Sequence, residues 1–456
     1  MRKNFTLLLL TALFALVACD YNESSVVVDT TQKQQDAIVD GKIPLNRAIS
    51  NADFVFRNTE ALGHKNRKIK SVDVLTKTNS RIVSTRSSVQ NEQDAPLAYV
   101  VNYENNEGFA ILAADTKLPP VISIGDEGNF DTEGFVNFIQ NNSTTRSNEE
   151  VNPAQMVQYA VVNNSLLLPP TVDIVGPQIQ GVDTTIILRC MPLVRTKWGQ
   201  RDPYDYYAPN DPYDNSKKSA AGCVPVAGAQ TLAALCYHHN WRPSTQLSEN
   251  YSINWDLINR MIFNKIIAFQ EGDRSAQALA AASLIRAIGE DINATYTHNA
   301  TGSNNVKLVD TYRKLGLTNV LIGNETLGDR ITRSDIFDMI INKNFPVTTQ
   351  AVDGAIDAGH SFVLDGWLRL EYSHLMIENI DLGNGHSISN IDNAQYNFDL
   401  VHVNMGADGR YDGYYLPDAF DLTTNKYNEY AEENDDPKIG LYVFDLNVVY
   451  MTYDKN

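Results

Sequence analysis

The chain of 456 residues is poor in cysteine, in positive charge and in long apolar runs. Its four cysteines stand at positions 19, 190, 223 and 236, and no two of them form a CxxC pair. His238 and His239 follow Cys236, but no second ligand pair at metal spacing accompanies them, so no structural zinc site is expected and no metal or cofactor is called for. Lysine and arginine number 37 against 55 acidic residues, a formal net charge of −18. Phosphate binding needs clustered Lys and Arg, so a nucleic-acid partner is not expected either. One apolar run stands out, Phe5 to Ala18. It is shorter than the roughly 18 residues of a membrane-spanning helix, and no later segment is long and apolar enough to span. No internal repeat is visible.

What is there begins with an address. Arg2 and Lys3 precede the apolar run, and Leu16-Val17-Ala18-Cys19 closes it with small residues at the cut, the architecture of a secretory signal over residues 1–18. Leu-Val-Ala-Cys resembles the bacterial lipobox, which implies lipid on Cys19 and an exported lipoprotein held at the outer membrane or cell surface without crossing it. Residues 19–42, mostly polar, suit a tether. With Cys19 spent on lipid, three thiols remain, and an odd number flags a free reactive thiol or an intermolecular bridge. A Cys190–Cys236 disulfide and two buried free thiols are both allowed.

Hydrophobic residues at 43% and aromatics at 9% describe a globular protein, and the length implies two or three domains. Residues 43–140 read as a small α+β body. Leu45, Ala48, Ile49, Ala52 and Phe56 share one helical face, Ile69 to Val74 alternate like a strand, and Leu97 to Tyr103 with Gly108 to Ala114 flank a turn at 104–107 as a hairpin would. Residues 141–150, NNSTTRSNEE, contain no apolar residue, as exposed segments open to proteases do. Residues 141–185 read as a linker with a short helix at 153–163 and a proline-interrupted connector after it. From residue 186 helices are expected at 223–239, 254–271, 274–288, 304–316 and 333–343. Strands are expected at 347–352, 361–367, 372–377, 398–404, 413–416 and 440–446. Helices first and an antiparallel sheet second give an α+β fold.

The most informative stretch is Ala220-Ala221-Gly222-Cys223-Val224-Pro225-Val226. Small residues lead to the thiol, Pro225 suits a first helical turn, and apolar positions recur through Cys236. A cysteine at a helix N-terminus meets unpaired amides and the positive end of the helix dipole, which favour the nucleophilic thiolate. The alternative is a packed structural cysteine, the more usual role of a cysteine in an apolar helix. Such a nucleophile needs a base brought by tertiary structure. His360, in Gly359-His360-Ser361-Phe362-Val363-Leu364-Asp365-Gly366, lies within the roughly 130–150-residue interval of papain-like enzymes. His298, His374, His386 and His402 are its rivals, whereas His238 and His239 sit about four helical turns from Cys223. Asn404, at the end of an expected strand, is the candidate to orient His360. The Cys223 N–H and the Gln200 amide in Lys197-Trp198-Gly199-Gln200 are the candidate oxyanion donors.

Together, Lys197-Trp198-Gly199-Gln200, Ala221-Gly222-Cys223-Val224-Pro225-Val226-Ala227, the His360 run, His402-Val403-Asn404 and Asp412-Gly413-Tyr414-Tyr415 resemble the streptopain family of cysteine peptidases. Tyr99-Val100-Val101-Asn102-Tyr103, Gly108 to Asp115 and Asp126-Glu127-Gly128-Asn129-Phe130 resemble that family's inhibitory propeptide, also found as a separate inhibitor. The resemblance implies a papain-like peptidase domain over 186–456 behind a prodomain that blocks its cleft as an intramolecular inhibitor until cleavage. Its substrates would be proteins or peptides, with Cys223 as nucleophile, His360 as base, Gln200 as oxyanion donor and Asn404 as the group orienting the imidazole. The family has Asn-Trp-Gly-Trp where this chain has Asn404-Met405-Gly406-Ala407. Without indoles to shield the imidazole, a degenerate peptidase acting as a surface binding protein is the alternative.

Overall fold

In the computed structural model, residues 38–39, 41–59, 66–76, 81–83, 96–116, 118–142, 152–167, 178–244, 246–324, 328–353, 358–381, 387–420 and 446–455 are described. The signal segment, Cys19, most of the tether, residues 143–150 of the polar stretch and most of the expected 440–446 strand lie outside them. No helix among the described residues is long and apolar enough to cross a membrane.

The N-terminal part contains β1 (Ile38–Val39), α1 (Leu45–Thr59), β2 (Ile69–Thr76), β3 (Arg81–Val83), β4 (Pro96–Tyr103), β5 (Phe109–Ala113), β6 (Val121–Gly125), α2 (Thr132–Asn142) and α3 (Pro153–Leu167). On α1 the buried positions are Ala48, Asn51, Ala52, Val55 and Phe56, spaced as one helical face. Phe56 meets Tyr103 of β4 edge to face, with centroids 5.4 Å apart. The expected hairpin is present, with Ala98 opposite Ala113 and Asn102 opposite Phe109. Its turn places Asn105 and Asn106 at φ 57°, a region asparagine tolerates better than most residues.

The C-terminal part contains β7 (Gln178–Cys190), α4 (Cys223–His238), α5 (Trp255–Phe263), α6 (Ala276–Asp291), α7 (Val306–Lys314), β8 (Leu317–Gly323), α8 (Arg333–Phe337), β9 (Val347–Asp353), β10 (Ala358–Asp381), β11 (Ser387–Asn404), β12 (Gly413–Tyr415) and β13 (Leu446–Lys455). Every residue of α4 from Val224 to Cys236 is buried. A helix apolar on all sides belongs at a centre, and α4 packs against α5, α6, β9 and β10. Helix α5 stops eight residues before its expected end, because Lys265 turns to φ 60° and the chain folds back, Ile266 N–H bonding to the Met261 carbonyl. The expected helix at 333–343 is α8, started by a reciprocal Thr332–Asp335 capping box, followed by a π-type turn over Asp338–Asn342.

The strands form one antiparallel sheet in the order β3-β2-β4-β5-β6-β12-β11-β10-β9-β13-β8. The expected strands at 361–367 and 372–377 are one continuous β10, paired with β11 from Val363–Asn404 to Asp381–Ser387. Of the segment read as connector up to residue 185, residues 168–177 lie outside the described residues and 178–185 are strand. β7 runs through the expected 185/186 boundary and pairs with β10 and with β1. At the middle of the order, Ser123, Ile124 and Gly125 of β6 lie opposite Tyr415, Tyr414 and Gly413 of β12, so both parts of the chain share a sheet.

Candidate active site

Cys223 is the first residue of α4, with Gly222 as N-cap at φ 98°. A Cβ at 222 would come within 2.9 Å of the Thr301 methyl, so both backbone and space demand glycine there. The approach is pinned on either side: Ala221 N–H bonds to the Gln200 carbonyl at 2.9 Å, and Thr301 Oγ1 donates to the Ala220 carbonyl at 2.6 Å. Gln200, half-buried, is thereby held beside the start of the helix. No side chain caps that start, so its first amides are free to serve an anion.

His360 is fully buried on β10, its ring stacked over Phe362 at 6.4 Å. Its Nε2 lies 2.7 Å from the Met405 carbonyl oxygen. A carbonyl only accepts, so Nε2 carries the hydrogen and the neutral imidazole keeps its lone pair on Nδ1. Nδ1 has no hydrogen bond of ordinary geometry, and with Nε2 engaged it is the nitrogen left for the Cys223 thiol. Burial raises the thiol pKa, but the bond and charge of His360, helped by Ser361, bring it below its ordinary value. Cys223, His360 and the backbone of Gln200 are therefore brought together.

Asn404 is placed differently from the expectation. Its Oδ1 accepts from Gln230 Nε2 at 2.7 Å and from Gly406 N–H at 3.1 Å, and its Nδ2 donates to the Thr196 carbonyl at 2.9 Å. The amide is thus occupied, and the group that accepts from His360 is the next residue's carbonyl. Asn404 acts on it at one remove, because Gly406 N–H and the Met405 carbonyl belong to the same planar peptide unit. A main-chain oxygen has no residue signature, so nothing in the sequence pointed to it.

Gln230 of α4 binds this turn to the rest. Besides Asn404, its Oε1 accepts from Thr196 Oγ1 at 3.0 Å and Trp198 N–H at 3.1 Å, all of them buried. Gln230→Ala leaves several buried polar groups unpaired at about 1–3 kcal/mol each, so a stability loss on the order of 3 kcal/mol is expected in urea unfolding. An unchanged midpoint would mean that water or rearrangement satisfies these groups. Met405 and Ala407, where the resembled family has tryptophans, are both buried.

The other histidines whose side chains are described are engaged elsewhere. His238, His239 and His298 each bond to a backbone carbonyl, of Leu193, Asn344 and Lys218 respectively. His386 lies outside the described residues, and the side chain of His374 is not described. His402 sits between two carboxylates, Nδ1 2.6 Å from Asp365 and Nε2 3.0 Å from Asp126 of the N-terminal part. Burial alone would lower its pKa, but Asp365 and Asp126 outweigh that and hold it well above its ordinary value. Beside it, Asp126 N–H bonds to the Asp412 carbonyl at 3.0 Å and Lys197 pairs with Glu127. Cys190 and Cys236 are unpaired, so the allowed disulfide is not formed. Among the described residues no group of three or more His, Cys, Asp or Glu could hold a metal ion.

Comparison with known proteins adds two family matches. The model of the Peptidase C10 family matches residues 198–415, and that of the Spi protease inhibitor matches residues 47–148. Among solved structures, a fragment of prointerpain A from Prevotella intermedia is similar at 16% identity and a TM-score of 0.43, covering 81% of this chain and 99% of that one. No curated protein matches the chain.

Proposed function

Residues 198–415 being a cysteine-type peptidase domain of the C10 family and residues 47–148 a Spi-type inhibitor domain, we propose that the chain is the zymogen of an exported endopeptidase working through Cys223 and His360. The observation that carries this is the fixed tautomer of His360. Nε2–H is committed to the Met405 carbonyl, leaving Nδ1 to take the proton of the thiol whose pKa His360 lowers.

In the reaction, the Cys223 thiolate attacks the peptide carbonyl carbon while the Cys223 N–H and the Gln200 amide receive the oxyanion. As the C–N bond breaks, His360 gives its Nδ1 proton to the leaving amine. A water molecule, deprotonated by the same nitrogen, then cleaves the thioester and returns the thiolate. Asn404 holds the turn that presents the Met405 carbonyl. The signal segment and the Leu16-Val17-Ala18-Cys19 sequence support export and a lipid on Cys19, with release of the inhibitor domain by cleavage within 141–185.

A thiol-directed epoxide tests the assignment of the nucleophile. The adduct is expected on Cys223 alone, because burial pushes both Cys190 and Cys236 up to about 11 and keeps them protonated at neutral pH. Label on Cys190 or Cys236 with Cys223 unmodified would remove the proposed mechanism.

A further inference from the structure

The Met405 carbonyl that holds His360 stands where regular structure ends. The pairing of β11 with β12 stops at Val403–Gly413, and the connection between them runs through positive φ at Gly406 (62°), Asp408 (60°), Gly409 (80°) and Tyr411 (69°). No strand ladder fixes the direction of a carbonyl on such a path. Two side chains do so instead, one on each peptide unit that flanks Met405. Asn404 Oδ1 takes the Gly406 N–H on the far side. Asp412 Oδ1 takes the Met405 N–H on the near side at 2.7 Å, from a position almost completely buried.

We propose that Asp412 is a positioning residue for the Cys223–His360 pair: its carboxyl holds the Met405 N–H, and Met405 in turn holds the imidazole through its carbonyl. With the peptide planes on both sides of Met405 anchored, the two dihedrals that aim its carbonyl have little freedom. The imidazole is then held in one rotation with Nδ1 toward the thiol, as a base must be to act. Asp412 never touches the thiol or a substrate. Its role needs an acceptor oxygen at that reach, not a negative charge, so asparagine should replace it and shorter side chains should not. The charged groups around it are His402 and Lys197 from the peptidase part and Asp126 from the inhibitor part, and all three remain in each variant.

The inference rests on the proposed pairing of Cys223 with His360, and the test separates the two. In the full-length chain, the rate at which iodoacetamide alkylates Cys223 is followed against pH, with the modified peptide identified by mass spectrometry and folding checked by thermal melting. The imidazole should sustain alkylation well below the ordinary thiol range in the wild type. Asp412→Ala should slow it about tenfold near pH 6 and move the profile up by about one pH unit. Asp412→Ser, which keeps a polar atom but stops short of the Met405 N–H, should do the same and serves if the alanine variant does not fold. Asp412→Asn should restore most of the rate. A folded alanine or serine variant with the wild-type profile overturns the role of Asp412, as does an asparagine variant as impaired as alanine. If His360→Ala leaves the wild-type profile unchanged, the pairing itself fails, and the role of Asp412 falls with it.

Discussion

Cys223→Ala is expected to leave no measurable hydrolysis of a denatured protein substrate, and His360→Ala to slow it by about 10²–10⁴-fold at neutral pH. The first change removes the atom that would carry the acyl group, and neither Cys190 nor Cys236 stands at an open helix start to replace it. The second acts twice. It removes the donor that protonates the leaving amine, and it removes the two influences of His360 that lower the Cys223 pKa, leaving only Ser361 to oppose the burial that raises it. The ionisation part of the defect should shrink as the pH is raised past the ordinary thiol value of 9.0, whereas the missing proton donor should not be recovered at any pH. A His360→Ala enzyme that turns over at the wild-type rate at pH 7 would remove the imidazole from the mechanism, and persistent hydrolysis by Cys223→Ala would move the nucleophile elsewhere.

The parts of this site that were legible in the sequence are those whose chemistry is carried by side chains in a local pattern. Gly222-Cys223-Val224-Pro225 announces a thiol at a helix start, and the apolar run after His360 announces a strand, because each depends only on neighbours in sequence. The acceptor that fixes the imidazole is a backbone oxygen, and Asn404, the side chain that looked suited to the task, was needed by Gln230 and Thr196. Helix α2 shows a similar limit. Phe135, Val136 and Ile139 give it a buried face, but the polar run that follows from residue 141 hid so short a signal. In β7 the alternation of half-buried Ile186 and Leu188 with exposed Ile187 is the period-2 signature of a strand, obscured by the prolines shortly before it. The junction of β6 with β12 had no signature at all, since it joins segments almost three hundred residues apart through main-chain bonds.

That junction carries the other large expected effect. Asp126 follows β6 directly and places its carboxylate on His402, so Asp126→Ala should loosen the inhibitor domain from the peptidase domain while leaving the three β6–β12 pairs formed. Removing one partner of a buried pair costs about 3–5 kcal/mol. Here the carboxyl side is 38% exposed and the imidazole 4%, and Asp365 still accompanies His402, so about 1–2 kcal/mol is the appropriate expectation. Opening of the junction should then be roughly tenfold more frequent. It would be read as faster amide hydrogen exchange over 121–126 and 412–415 in chains that also carry Cys223→Ala to prevent processing. The pH dependence has a definite sign. Asp126 is held below its ordinary value of 3.8, so its contribution is present above that value and is lost as the pH falls through the lowered one. His402 is held above 6.5, so its contribution is complete below that value and is lost only as the pH rises through the raised one. The contact is therefore at full strength between these limits, and exchange at the junction should accelerate below pH 3.8 in the parent chain. The Asp126→Ala chain has already lost that contribution and should respond much less to the same acidification. Equal acid responses in the two chains would mean that the carboxylate on His402 does not hold the inhibitor domain in place.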